Sequence, residues 1–135
     1  MKIAVCIDKN NGVLFCGRRL SQDRALREKL LLLLPPDGKL YTSFYSAKQF
    51  ENQEAVVAAD NFLELASPTD ICFLEDEFLD FSKVSAVYLF QWNRDYPADV
   101  FFEFDAKALG FAKTATEDFS GNSHKKITLT VYERK

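Results

Sequence analysis

The apolar positions of the chain fall into short blocks whose spacing alternates between strand-like and helix-like. The first block, KIAVCI at residues 2–7, is apolar almost throughout and suits a central strand covered on both faces. DKNNG follows as turn chemistry, with Asn11 and Gly12 tolerating positive φ. VLFCGRRL then reads as a longer loop. A helix is expected to begin near Ser21, a good N-cap type, with Asp23 in its first turn. Leu26, Leu30, Leu33 and Leu34 recur at helical spacing and give it one apolar face. Pro35 and Pro36 end it, and Asp37-Gly38 turns the chain into a second strand, KLYTS.

Ser46 is placed to cap a short helix running to Gln53, and AVVAA reads as a third strand. A brief helical piece from Phe62 to Ala66 closes at Ser67-Pro68. Residues 70–74 form a fourth strand, followed by a short helix from about Asp76 to Phe81. KVSAVYLFQW is the fifth. The remainder reads as all β: DVFFEF, GFAKTATED and, after the turn SGNS, KITLTVYER. Strands alternating with helices early and a hairpin late predict an α/β class, a mixed sheet flanked by helices with antiparallel C-terminal strands. The expectation is a single domain over residues 1–135.

Composition narrows the function. Hydrophobic residues make up 47% of the chain, too many for a disordered segment. A net charge of −3 argues against general nucleic-acid binding, which needs positive surface to displace counterions. The apolar stretch after Lys2 breaks at Asp8, too soon for a signal peptide, and Leu30 to Leu34 is far too short to span a bilayer. A cytoplasmic location without a membrane partner is therefore expected. Cys6, Cys16 and Cys72 are odd in number and form no CxxC pair, which fits a reducing compartment. No metal site is expected from three scattered cysteines and one histidine. His124, with no Ser or Cys motif beside it, reads as a polar strand-edge residue rather than part of a catalytic triad.

The order of pieces resembles the dihydrofolate reductase family. IAVCID, a turn with Gly12, a long loop and a helix with an early acid resemble that family's opening. DICFLEDEFLDFSKVSAVYLFQW resembles its strand, phosphate turn, short helix and next strand. RDYPADVFFEFD sits where the family has a loop ending in acid, aromatic and acid, and NSHKKITLTVYERK resembles its closing strand. The likeness runs over essentially the whole chain and describes a short, degenerate relative of that fold. Short bacterial proteins resembling this one also carry the label ribonuclease Z. That chemistry needs a histidine-rich HxHxDH motif, which one histidine cannot supply.

Residue by residue, the resemblance implies a mixed inheritance. Asp23 falls where the family places the carboxylate that binds the pterin and assists its protonation. The family's Gly-Gly turn, which lets backbone amides approach the cofactor pyrophosphate, is replaced here by Glu75 and Asp76. Two carboxylates at that seat would each repel a pyrophosphate by about 1 to 4 kcal/mol, and their side chains block the approach that glycine permits. The family's second phosphate contact, Gly-Arg-x-Thr/Ser, corresponds to Ser43, Phe44, Tyr45 and Ser46, without the Gly or the Arg. No bound cofactor is therefore expected, and without a hydride donor the family's reaction does not proceed. Glu75, Asp76 and Glu77 are read as helix N-terminal acids, a reading that also covers Asp23.

Two further constellations complete the picture. Arg18, Arg19, Arg24, Arg27 and Lys29 read as a solvated face, with Arg24 and Glu28 at i,i+4, or as an anion or partner surface pairing with the acids at 75 to 77. QWNRDYP combines Trp92 and Arg94 as a stacking and anion-binding pair, or as a core Trp beside a surface turn. The function expected is non-catalytic binding, with no catalytic residue assigned. One form is a small planar or cationic ligand held by Asp23 and enclosed by Phe15, Tyr45 and Trp92, with Arg94 nearby; the other is a protein partner. The alternatives are a reductase with an altered nicotinamide-cofactor site using Arg18 or Arg19, and a structural or regulatory homo-oligomeric subunit.

Overall fold

The computed structural model describes residues 1–50, 53–75 and 80–135. The first half contains β1 (Lys2–Ile7), β2 (Gly12–Phe15), β3 (Arg18–Arg19), α1 (Arg24–Leu32), β4 (Leu40–Thr42), α2 (Phe44–Ala47), β5 (Val56–Ala58) and α3 (Phe62–Leu65). The second contains β6 (Ile71–Leu74), β7 (Ala86–Gln91), β8 (Val100–Phe101), α4 (Ala106–Leu109), β9 (Phe111–Phe119) and β10 (Ile127–Arg134). Seven strands form one mixed sheet in the order β5-β4-β6-β1-β7-β10-β9, and β3-β2-β8 form a small second sheet. β1 runs parallel to β6 and β7 on its two sides, while β10 is antiparallel to both β7 and β9. Among the described residues, no helix is long and apolar enough to cross a membrane.

The near-continuous apolar character of β1 has the cause expected of a central strand. Ile3, Val5 and Ile7 enter one core cluster with Phe62, Val87 and Phe111, whereas Ala4 enters the other with Leu26, Leu30, Phe73 and Phe90. Leu26 and Leu30 of α1 are fully buried, and Leu33 and Leu34 pack against the same cluster. Leu26 and Leu30, fully buried, each contribute about 1.5–3 kcal/mol by leaving water.

Several expected elements shift. Asp23 is not in the first turn of α1 but is its N-cap, with extended backbone and a carboxylate accepting from the Ala25 and Leu26 amides. Ser43, not Ser46, caps α2, which gives way to a 3-10 turn over Lys48–Phe50 rather than continuing to Gln53. The expected loop after residue 12 is a hairpin: Phe15 pairs with Arg18 across Cys16 and Gly17, both at positive φ as a two-residue hairpin turn demands. Only Val100–Phe101 of DVFFEF is strand, and the four-residue helix α4 interrupts the expected all-β ending. Asp105 caps α4 and Gly110, at φ 84, stops it. The helix expected at 76–81 falls largely outside the described residues, as do Asp76 and Glu77; Phe81–Lys83 forms a 3-10 turn capped by Asp80.

Candidate functional site

The carboxyl ends of β1 and β6 and the start of α1 enclose a small chamber lined by Cys6, Arg19, Asp23, Gln49, Glu75 and Trp92, among others. Strand ends of open α/β sheets are where ligands usually bind. Here the free space is about 10 Å³, room for roughly one water. Two side-chain networks fill the rest.

The first is centred on Glu75, the residue that follows β6. Its carboxylate accepts from Arg19 Nε at 3.0 Å and Nη2 at 3.1 Å, from the Ser46 hydroxyl at 2.6 Å and from Gln49 Nε2 at 3.3 Å. Arg19 comes from β3, so the hairpin folds its guanidinium over the end of the main sheet. The same group lies 4.4 Å above the Tyr45 ring. Burial would lower the Arg19 pKa, but the hydrogen bonds and charge of Glu75 outweigh it and raise the value. Next to this pair, burial pushes the Cys6 thiol well up, helped by Glu75 and opposed by Arg19.

The second network is centred on Asp23, whose side chain is 0% exposed. Besides capping α1, it accepts from the Asn122 amide at 2.8 Å, the Ser123 amide at 2.8 Å and the Ser123 hydroxyl at 3.1 Å. His124 Nδ1 lies 2.9 Å from Oδ2. Burial alone would raise the Asp23 pKa; the bonds from Asn122, His124 and Ser123 outweigh it and hold the carboxyl well below the usual range. An ionised carboxylate only accepts, so Nδ1 carries the hydrogen. His124 Nε2 faces Tyr96 Oη at 2.9 Å and Ser21 Oγ at 3.1 Å, and the imidazole stacks on Trp92 with centroids 4.6 Å apart.

Carboxylate, imidazole and hydroxyl thus stand in the order used by nucleophilic hydrolases. Two features distinguish this arrangement from a working triad. Tyr96 shares the nitrogen that would activate Ser21, and the chamber has no room for an acyl group. What the arrangement does is tie α1 to the loop between β9 and β10. His124 is accordingly no strand-edge residue: it is buried, 4% exposed, at the centre of that tie. Gly121 makes the close approach possible, since a Cβ there would lie 2.7 Å from Asp23 Oδ2.

Of the residues grouped with Asp23 from the sequence, Trp92 shares the chamber lining and Phe15, Tyr45 and Arg94 do not. Trp92 is core, 3% exposed, and joins the Asp23 network by stacking on His124. Phe15 and Tyr45 are 45% and 41% exposed and do not line the chamber. Arg94 lines a separate cleft. Ser43 caps α2, Ser46 donates to Glu75, and Phe44 is exposed. Within the basic face, Arg19 pairs with Glu75, Lys29 pairs with Glu117 at 2.7 Å, and Arg24 reaches Asn122 rather than Glu28. The sequence reading missed Ser21, Gln49, Tyr96, Gly121 and the burial of His124. The available signal was the small, turn-forming Ser-Gly-Asn-Ser immediately before a lone histidine.

Outside the chamber, and sharing Gln22, Arg27 and Gln49 with it, an open groove of about 420 Å³ runs beside α1. Among the described residues, Arg24, Arg27 and Lys48 flank it with one acid, Glu28, and Leu31 and Phe50 supply apolar surface.

No family model and no curated sequence matches the chain. Among solved structures, it is similar to a dihydrofolate reductase from Enterococcus faecalis complexed with NADP(H) and RAB-propyl. The TM-score is 0.70 and the identity 10%, with 99% of this chain and 95% of that one covered. The chain has a dihydrofolate reductase-like fold. At this identity the likeness concerns the fold alone. Asp23 and Glu75, the two positions that the sequence resemblance singles out, both line the chamber at the ends of β1 and β6, and both carboxylates are engaged by the chain itself.

Proposed function

We propose that this chain is a non-catalytic binding domain on a dihydrofolate reductase-like fold, one that no longer holds a dinucleotide. The observation carrying this reading is the Glu75 carboxylate, which takes its hydrogen bonds from Arg19, Ser46 and Gln49 where the family resemblance would seat a phosphate. An incoming pyrophosphate would have to displace a bidentate ion pair and meet the freed carboxylate. A cationic ligand at Asp23 would likewise have to strip that side chain of its amide donors. The reading therefore places the ligand outside the chamber, in the groove beside α1. Arg24, Arg27 and Lys48 favour a compound with a negatively charged end and an apolar body.

A thermal-shift titration with NADPH, folate and dihydrofolate tests it. A ligand at 100 times its Kd stabilises the native state by about 2.7 kcal/mol, a readable change. NADPH is expected to leave the melting temperature unmoved, and any folate shift is expected to vanish in Arg27→Ala. A clear NADPH shift would restore the altered-cofactor reductase, with Arg18 or Arg19 on the phosphates.

The second reading is a binding surface for a protein, including a second copy of this chain. It is favoured by Phe15, Val100 and Phe101, exposed on the small sheet. Sedimentation that showed only monomer across a wide concentration range would remove the homo-oligomeric form of it.

A further inference from the structure

A second cleft, of about 460 Å³, shares Trp92 with the chamber and is lined by Lys9, Trp92, Asn93, Arg94, Lys125 and Lys126. Its cations come from three segments: the turn after β1, the exit of β7 and the approach to β10. None of these four side chains has an ion-pair or hydrogen-bond partner among the described residues. The acids adjacent in sequence are occupied elsewhere. Asp8 accepts from the Asn10, Gly12 and Tyr96 amides, and Asp95 accepts from the Asn10 side chain.

The backbone beneath these cations is firmly held. The Lys9 amide donates to Arg94 O at 3.0 Å and the Trp92 amide to Ile7 O at 2.9 Å. Asn93 sits at φ 61, a conformation asparagine tolerates better than most residues, and its Nδ2 donates to Lys126 O at 3.2 Å and Thr128 Oγ1 at 2.9 Å. Four like charges are thereby gathered around one cavity with no ion pair among the described residues, in a chain whose net charge is −3. A multiply charged anion relieves that repulsion.

We infer that this cleft binds a small polyphosphate anion, with Arg94 offering a planar fork to one phosphate and Lys9, Lys125 and Lys126 acting as point charges. The volume suits a compact ligand. The size limit also follows from charge: outside the cleft the chain is more acidic still, so an extended polyanion such as nucleic acid would be repelled along most of its length. This site is independent of the groove beside α1.

Trp92 is the chain's single tryptophan and lines the cleft, so its fluorescence reports occupancy. The full chain is titrated with inorganic tripolyphosphate at low and at near-physiological salt, with calorimetry for stoichiometry. One saturable site is expected, weakened about tenfold or more by Arg94→Ala and by the Lys125→Ala/Lys126→Ala double variant. Arg94→Lys should fall between, because it keeps the charge and loses the fork. Lys107→Ala, on α4, should bind like the parent. All four altered positions are exposed, so unchanged melting curves can confirm intact folding. Non-saturable binding, equal loss in Lys107→Ala, or tighter binding of a single-stranded oligonucleotide through the same residues would overturn the inference.

Discussion

At the residue scale, the chamber is decided by two carboxylates that the sequence makes visible and whose partners it hides. Acids at 23 and 75 can be read directly as departures or retentions within a family-like order. That Glu75 would meet Arg19, 56 residues away, depends on a hairpin turn whose first position is Cys16, an uncommon residue at positive φ. That Asp23 would be wrapped by residues 122 to 124 depends on Gly121, which reads in sequence as one more turn glycine. Gly121→Ala is expected to destabilise the protein by about 1–3 kcal/mol, because its Cβ would press on the Asp23 carboxylate and on His124 O, at 2.8 Å. Chemical denaturation checks the loss. Near-neutral stability in that variant would mean that the loop relaxes without giving up its bonds.

At the element scale, β1, β4, β5, β6, β7 and β10 were legible from apolar or alternating runs, since burial on one or both faces leaves a direct trace in residue type; β9 was also expected, though most of it is exposed. β3 was not expected, and β8 is only the Val100–Phe101 part of the strand expected over DVFFEF; each is two residues long and pairs with β2, β3 across a tight turn and β8 from far along the chain. α4 is held by local caps, Asp105 and Gly110, whose signal was masked by the aromatic residues before it. Helix α1 shows the opposite case, a periodic leucine face that predicts its own packing. Leu30→Ala, at a fully buried position facing Phe73 and Phe90 in the same cluster, is expected to cost about 2–5 kcal/mol. Leu32→Ala, two residues on and 80% exposed, should change stability by less than about 0.5 kcal/mol. Paired melts of the two variants test whether the face is assigned correctly.

At the scale of the whole molecule, stability should depend on pH through buried acids. Asp23 and Asp70 both have carboxyls held below their usual range: burial raises each, and is outweighed by donors, from Asn122, His124 and Ser123 for the first and from Ser67 and Lys39 for the second. A folded-state pKa below the unfolded one contributes stability that is complete above the unfolded value, about 3.9 for Asp, and is lost as pH falls through the folded value. The unfolding free energy should therefore decline below about pH 4, and Asp23→Asn should flatten that decline. An identical acid slope in the variant would mean that the low pKa belongs to other groups. The long tie from Asp23 to the loop before β10 also has a meaning in time. Its two halves lie about 100 residues apart, and β7 pairs with a strand made after that loop. A chain emerging from the ribosome at about 5–20 residues per second would therefore carry α1 for several seconds before Asn122, Ser123 and His124 exist to meet it. During that interval the first helix has only its own cap, and the Asp23 carboxylate lacks the donors that the loop supplies. Completion of the Asp23 network is thus among the last events of synthesis, and a shortened chain lacking the final hairpin, with Ile127 and Leu129, should expose part of the leucine face that the finished protein buries.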